Sequence, residues 1–112
     1  MSVRYPDTLR QYNHYKKKDG LVVFKYGAEW CGPCKRMAPL VEKLAKEYPN
    51  SYFVEVDVDN EEISEHEDLS NVRSIPHFKF FVDGKLVNEF HGGDSDKLVR
   101  YAKRYSEKNS SE

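Results

Sequence analysis

Two cysteines, Cys31 and Cys34, are the only ones in this 112-residue chain, and they stand three residues apart. A single C-x-x-C pair of this kind does redox or metal chemistry. Structural zinc takes four ligands. His14, His66, His77 and His91 are isolated in the sequence, and neither a second C-x-x-C nor an H-x3-H is present. Half of a zinc ligand set is therefore missing. Two buried core cysteines are the bland alternative, because cysteine is among the most buried residue types. The flanking Trp30 and the Gly32-Pro33 spacer favour the redox reading. In disulfide exchange the thiolate is the nucleophile. A cysteine at the start of a helix faces unpaired backbone N–H groups and the positive end of the helix dipole, and both favour its thiolate. That position belongs to Cys31, which reads as the attacking thiol. Cys34 lies one turn further in, on the same helix face, so its sulfur can reach Cys31 and resolve a mixed disulfide. Pro33 suits the first turn, where a missing N–H costs nothing.

The elements that must position this pair are legible on either side of it. Residues 21–26 form a short, nearly continuous apolar run broken by Lys25, which reads as a strand buried on both faces. After the motif, Cys34, Met37, Ala38, Val41, Leu44, Ala45 and Tyr48 fall on one helical stripe. Pro39 lies within it, and a kink is expected there. Upstream, Pro6, Asp7 and Thr8 open a helical pattern carrying Leu9, Tyr12 and Tyr15, stopped at Asp19-Gly20. Downstream, residues 52–58 alternate as a second strand, and residues 60–69 read as a polar, acidic helix. After the breaker Ile75-Pro76, residues 77–82 form a third strand, which Asp83-Gly84 turns into a fourth at 86–90. A last helix over 94–105 carries Leu98, Val99, Ala102 and Tyr105 on one face, with Asp94 or Ser95 as N-cap. A further short strand at 2–5 would complete the set. Helices alternating with strands, then a terminal hairpin, predict an α/β fold with a mixed sheet.

The length suits one domain with one core, here residues 1–106 with a flexible Ser-rich tail at 107–112. Eighteen basic residues against nineteen acidic ones leave a net charge of -1, which gives no footprint for nucleic acid or an anionic membrane. No apolar run approaches the roughly 20 residues a bilayer span requires. The first twelve residues lack a signal-peptide apolar core. A soluble, cytoplasmic protein is the expectation, and the cysteine usage fits a reducing compartment.

The string Ala28-Glu29-Trp30-Cys31-Gly32-Pro33-Cys34-Lys35 resembles the active-site signature of thioredoxins. The similarity continues through Met37-Ala38-Pro39, Val56-Asp57-Val58-Asp59, Val72-Arg73-Ser74-Ile75-Pro76, Asp83-Gly84-Lys85 and Gly92. Gly32-Pro33 points to the thioredoxin branch, whereas glutaredoxins usually carry Pro-Tyr and protein disulfide isomerases Gly-His. The resemblance implies a thioredoxin fold, with a central five-stranded mixed sheet flanked by four helices. It implies a cis bond at Pro76 and a shallow substrate groove rimmed by Trp30, Ile75, Pro76, Gly92 and Gly93. It also implies a monomer that needs no cofactor or metal, is recharged by a thioredoxin reductase and acts on disulfide-containing proteins such as peroxiredoxins.

Two departures stand out. The family usually buries an Asp six residues before the first cysteine, where this chain has Lys25. It often has Thr after the cis-proline, where this chain has His77. Lys25 interrupts an apolar strand and Glu55 interrupts the next in the same way, so the two are expected to pair near Cys34, the alternative being that Lys25 snorkels to water. His77 and His91 read as solvated, or else as rim residues touching partners. Two other functions remain open: an oxidase or isomerase, and a redox-independent binding subunit.

Overall fold

In the computed structural model, residues 2–110 are described, with side chains through Ser106. The strand β1 (Leu21–Gly27) is buried at all seven positions, which puts it inside the sheet. It pairs in parallel with β2 (Tyr52–Asp57) and antiparallel with β3 (His77–Val82). β3 then pairs antiparallel with β4 (Lys85–His91), giving the order β2-β1-β3-β4. The β3–β4 turn has positive φ at both Asp83 and Gly84, the twist a two-residue hairpin needs.

Alternate β1 residues serve two cores. Leu21 and Val23 join Met37, Val41 and Leu44 of α2 (Gly32–Glu47) and Leu98 and Ala102 of α4 (Ser95–Ser110). On the other face Val22, Phe24 and Tyr26 pack with Tyr12 of α1 (Leu9–Lys16) and Ile63 of α3 (Glu61–Ser64). Phe24, Phe53, Phe78 and Phe80 are all fully buried, each contributing about 1.5–3 kcal/mol by leaving water. Side-chain oxygens cap the helices: Thr8 Oγ1 accepts from Gln11 N, Asn60 Oδ1 from Glu62 N and Asp94 Oδ1 from Lys97 N.

The expected fifth strand is reduced to a bridge. Only Arg4 pairs, with Arg4 N donating to Phe53 O and Glu55 N to Arg4 O. Pro6, which lacks an N–H, follows two residues later and prevents the ladder from extending. The expected helix over 60–69 is two pieces, α3 and a 3₁₀ turn at Glu67–Leu69. His66 between them is extended, and its Nδ1 accepts from Asp68 N, so it caps a new turn instead of continuing the old one. Pro39 stands within α2, which runs on to Glu47. Val99 is exposed rather than on the buried stripe of α4. The backbone is helical through Ser110, and the rest of the expected tail lies outside the described residues.

Candidate redox site

Cys31 is the N-cap of α2, and its Sγ accepts from Cys34 N at 3.1 Å. The two cysteines are joined as a disulfide, with Cα atoms 5.3 Å apart. Both are nearly buried, whereas Trp30 beside them is 70% exposed. The indole is held by its Nε1, which donates to Asp59 Oδ2 at 2.8 Å just after β2. Nothing in the spacing of those two residues signals that bond, and the sequence reading does not contain it. Gly27 closes the floor of the site. A Cβ placed there would lie 3.0 Å from Cys34 Sγ, so the inner sulfur rests directly on the end of β1.

The Ile75-Pro76 bond is cis, as the resemblance implied. Pro76 is buried and Ile75 half-buried, and Ile75 O lies 3.9 Å from Cys31 Sγ. Gly92 N donates to Pro76 O at 2.8 Å, with Gly92 at a φ of 100° that suits glycine. A Cβ on Gly93 would meet Pro33 at 4.0 Å. Ile75, Pro76, Gly92 and Gly93 therefore gather against the exposed side of the Cys31–Cys34 turn, next in the chain to Trp30.

On the other flank a cavity of about 460 Å³ reaches Cys34, lined among others by Tyr5, Asp7, Lys25, Glu55 and Asp57. β1 and β2 register Lys25 opposite Glu55. Lys25 is 2% exposed. Its Nζ donates to Glu55 Oε2 at 2.9 Å and to Cys34 O at 2.7 Å. The expected pair is thus present, and the lysine does not snorkel out. Glu55 keeps one edge toward water, with 21% of its side chain exposed.

Comparison with known proteins decides the family. The family model described as Thioredoxin matches residues 6–104. The chain belongs to the thioredoxin family. It is 35% identical over 104 residues to thioredoxin 1 of Plasmodium falciparum, covering 93% of this chain and 98% of that one. A solved structure of Plasmodium falciparum thioredoxin superposes with a TM-score of 0.83 at 34% identity, over 92% of this chain and 99% of that one. A chain from the structure describing thiol resolution in yeast mitochondrial 1-Cys peroxiredoxin through the glutathione/thioredoxin systems superposes at 0.79, with 29% identity over 92% of this chain and 95% of that one. As a thioredoxin with its disulfide at the active-site position, the protein is a protein disulfide oxidoreductase working by thiol–disulfide exchange.

One departure from the usual thioredoxin pattern resolves differently from its expectation. His77 is neither solvated nor on the rim: it is 6% exposed, and its Nε2 meets Glu89 Oε1 at 2.9 Å. A buried polar side chain needs such a partner. Only His91, its cross-strand neighbour, is exposed, and its Nδ1 pairs with Ser74 Oγ at 3.1 Å. Burial pushes the Glu89 carboxyl up, but hydrogen bonds from His77 and Asn71 and the nearby Lys79 charge outweigh it and leave its pKa lowered. Among the described residues no cluster of three or more His, Cys, Asp or Glu is placed to hold a metal ion, and no helix is long and apolar enough to cross a membrane.

Proposed function

We propose that the protein is a general disulfide reductase in which Cys31 attacks and Cys34 resolves. The observation that supports this most is the position of Cys31: it caps α2, and its sulfur is the one that faces the Ile75 carbonyl. The Cys31 thiolate attacks one sulfur of a substrate disulfide, and the other substrate sulfur leaves as a thiolate and takes a proton. Cys34 then loses its proton and attacks Cys31 Sγ. The Cys31–Cys34 bond forms, the mixed disulfide breaks, and the second substrate sulfur is released reduced. Two electrons have passed from the dithiol to the substrate. Trp30, Ile75, Pro76, Gly92 and Gly93 form the docking groove. There an extended substrate segment bonds to main chain at Ile75, an arrangement that tolerates many sequences.

The protein acts as a monomer in the cytoplasm and is recharged by a flavin-dependent thioredoxin reductase. Its partners are disulfide-containing proteins such as peroxiredoxins, a class supported by the yeast peroxiredoxin system to which one structural relative belongs. Catalysis needs no cofactor beyond the cysteine pair.

Insulin reduction with dithiothreitol as terminal donor tests the activity, and equilibration against glutathione buffers tests the direction of electron flow. A potential near about -270 mV is expected of a donor. A value of roughly -180 to -120 mV would make the protein an oxidase or isomerase instead.

A further inference from the structure

A lysine is an unusual guest in the middle of a buried strand. Lys25 lies two residues before Gly27 on β1, so both face the same side of the sheet, the side on which α2 packs. Gly27 carries Cys34 Sγ in direct contact. The ammonium bridges Cys34 O and Glu55 Oε2, so the cation stands between the redox turn and the carboxylate. Glu55 therefore supplies the countercharge that makes burial tolerable, while the ammonium, not the carboxylate, is the group that bonds to residue 34. Coulomb energy falls with distance, so the nearer charge sets the sign of the local field. The other charged groups around the cavity are Asp7 from the N-terminal segment, Glu29 and Lys35 beside the cysteines and Asp57 at the end of β2. All four are exposed and screened by water.

We propose that the Lys25 ammonium, anchored by Glu55, stabilises the thiolate of the reduced Cys31–Cys34 pair and so shifts the protein toward a more oxidising potential. Lys25 acts through its field and is not the proton acceptor. The thiol proton leaves to water through the cavity that Lys25, Glu55 and Cys34 share. When the reduced pair passes its electrons on, the thiolate becomes one sulfur of the new disulfide and its charge leaves with the electrons. The field at Lys25 therefore favours the reduced state only. This inference rests on Cys31 and Cys34 being the working pair.

The test compares Lys25→Met and Glu55→Gln with the wild-type protein in two measurements across the pH range. One is thiolate ultraviolet absorbance, the other equilibration with glutathione. Lys25→Met should raise the lower thiol pKa by about one unit. It should also shift the glutathione equilibrium about tenfold toward a more reducing protein, which is about 30 mV for a two-electron couple. That offset should vanish in acid, where both thiols are protonated in both proteins. Glu55→Gln should move the thiol pKa down and the potential up. The thiolate titration needs no substrate, so it reads the inference separately from disulfide reductase activity. If Lys25→Met does not fold, the sign of the Glu55→Gln shift still decides. An unchanged thiol pKa, two variants shifting the same way, or an offset that persists in acid would overturn the proposal.

Discussion

Gly27 is where the absence of a side chain matters most. The inner sulfur rests on it, and an added methyl would sit 3.0 Å from Cys34 Sγ and 3.3 Å from Cys34 Cβ. Neither neighbour can yield easily, since Cys34 is fixed in the first turn of α2 and tied to Cys31. Gly27→Ala is expected to destabilise the oxidised protein by about 1–3 kcal/mol, the usual cost of overpacking, measured by denaturant unfolding. A stability equal to the wild type would mean that α2 can lift from the sheet at no cost. Lys25 and Glu55 could be read together from the chain because each interrupts an apolar strand at an equivalent place. Gly27 could not be read this way, since a glycine after a strand is ordinarily punctuation. Trp30 and Asp59 were equally silent, because their bond joins two loops whose spacing carries no periodic signal.

At the scale of elements, Lys79 holds the segment after α3 against the sheet. It is 5% exposed, and its Nζ donates to Asp68 O at 2.6 Å and Asn71 Oδ1 at 2.7 Å. The segment leads directly into Ile75 and Pro76, so its anchoring bears on the proposed groove. Lys79→Met leaves a carbonyl and an amide oxygen without their donor. A loss of about 1–3 kcal/mol is expected, with faster hydrogen exchange over residues 66–72 and an unchanged thiol pKa. Uniform exchange rates across wild type and variant would show that other contacts hold the segment. The strands and helices flanking the cysteines were legible because continuous apolar runs and the helical stripe of α2 are strong periodic signals. Two elements were misread for local reasons. The strand at 2–5 shrank to a bridge at Arg4 beside Pro6, and the helix at 60–69 broke where the His66 side chain competes for backbone N–H. The burial of His77 and Lys79 was invisible, since it comes from distant parts of the chain: β1 with Tyr26, β4 and the segment returning after α3.

Across the whole molecule, titrating groups set opposite limits on stability. Glu89 has a folded pKa below its ordinary 4.5. Its contribution is present above the unfolded value and is lost as pH falls through the folded one. Glu89→Gln should therefore flatten the acid limb of a melting-temperature profile, and an unchanged acid limb would contradict that. On the alkaline side, Tyr12 and Tyr26 share a 2.7 Å contact between their hydroxyls, and Tyr12 also donates to Asp68 Oδ2. Burial, foremost, keeps both phenols protonated well above their ordinary 10.0. The unfolded chain ionises first, so the stability they contribute is present below about pH 10 and is lost as pH rises beyond it. Tyr12→Phe should make that decline shallower, whereas an equal slope would assign it to other groups. In the proposed function the molecule brings one sulfur to a partner and keeps the other in reserve. That claim is tested most directly by mixing Cys34→Ser protein with a disulfide-bonded substrate and mapping the adducts by mass spectrometry. A stable mixed disulfide on Cys31 is expected, absent from the wild-type protein and from Cys31→Ser. Normal turnover by Cys34→Ser, or capture on Cys34 in the Cys31→Ser protein alone, would contradict it.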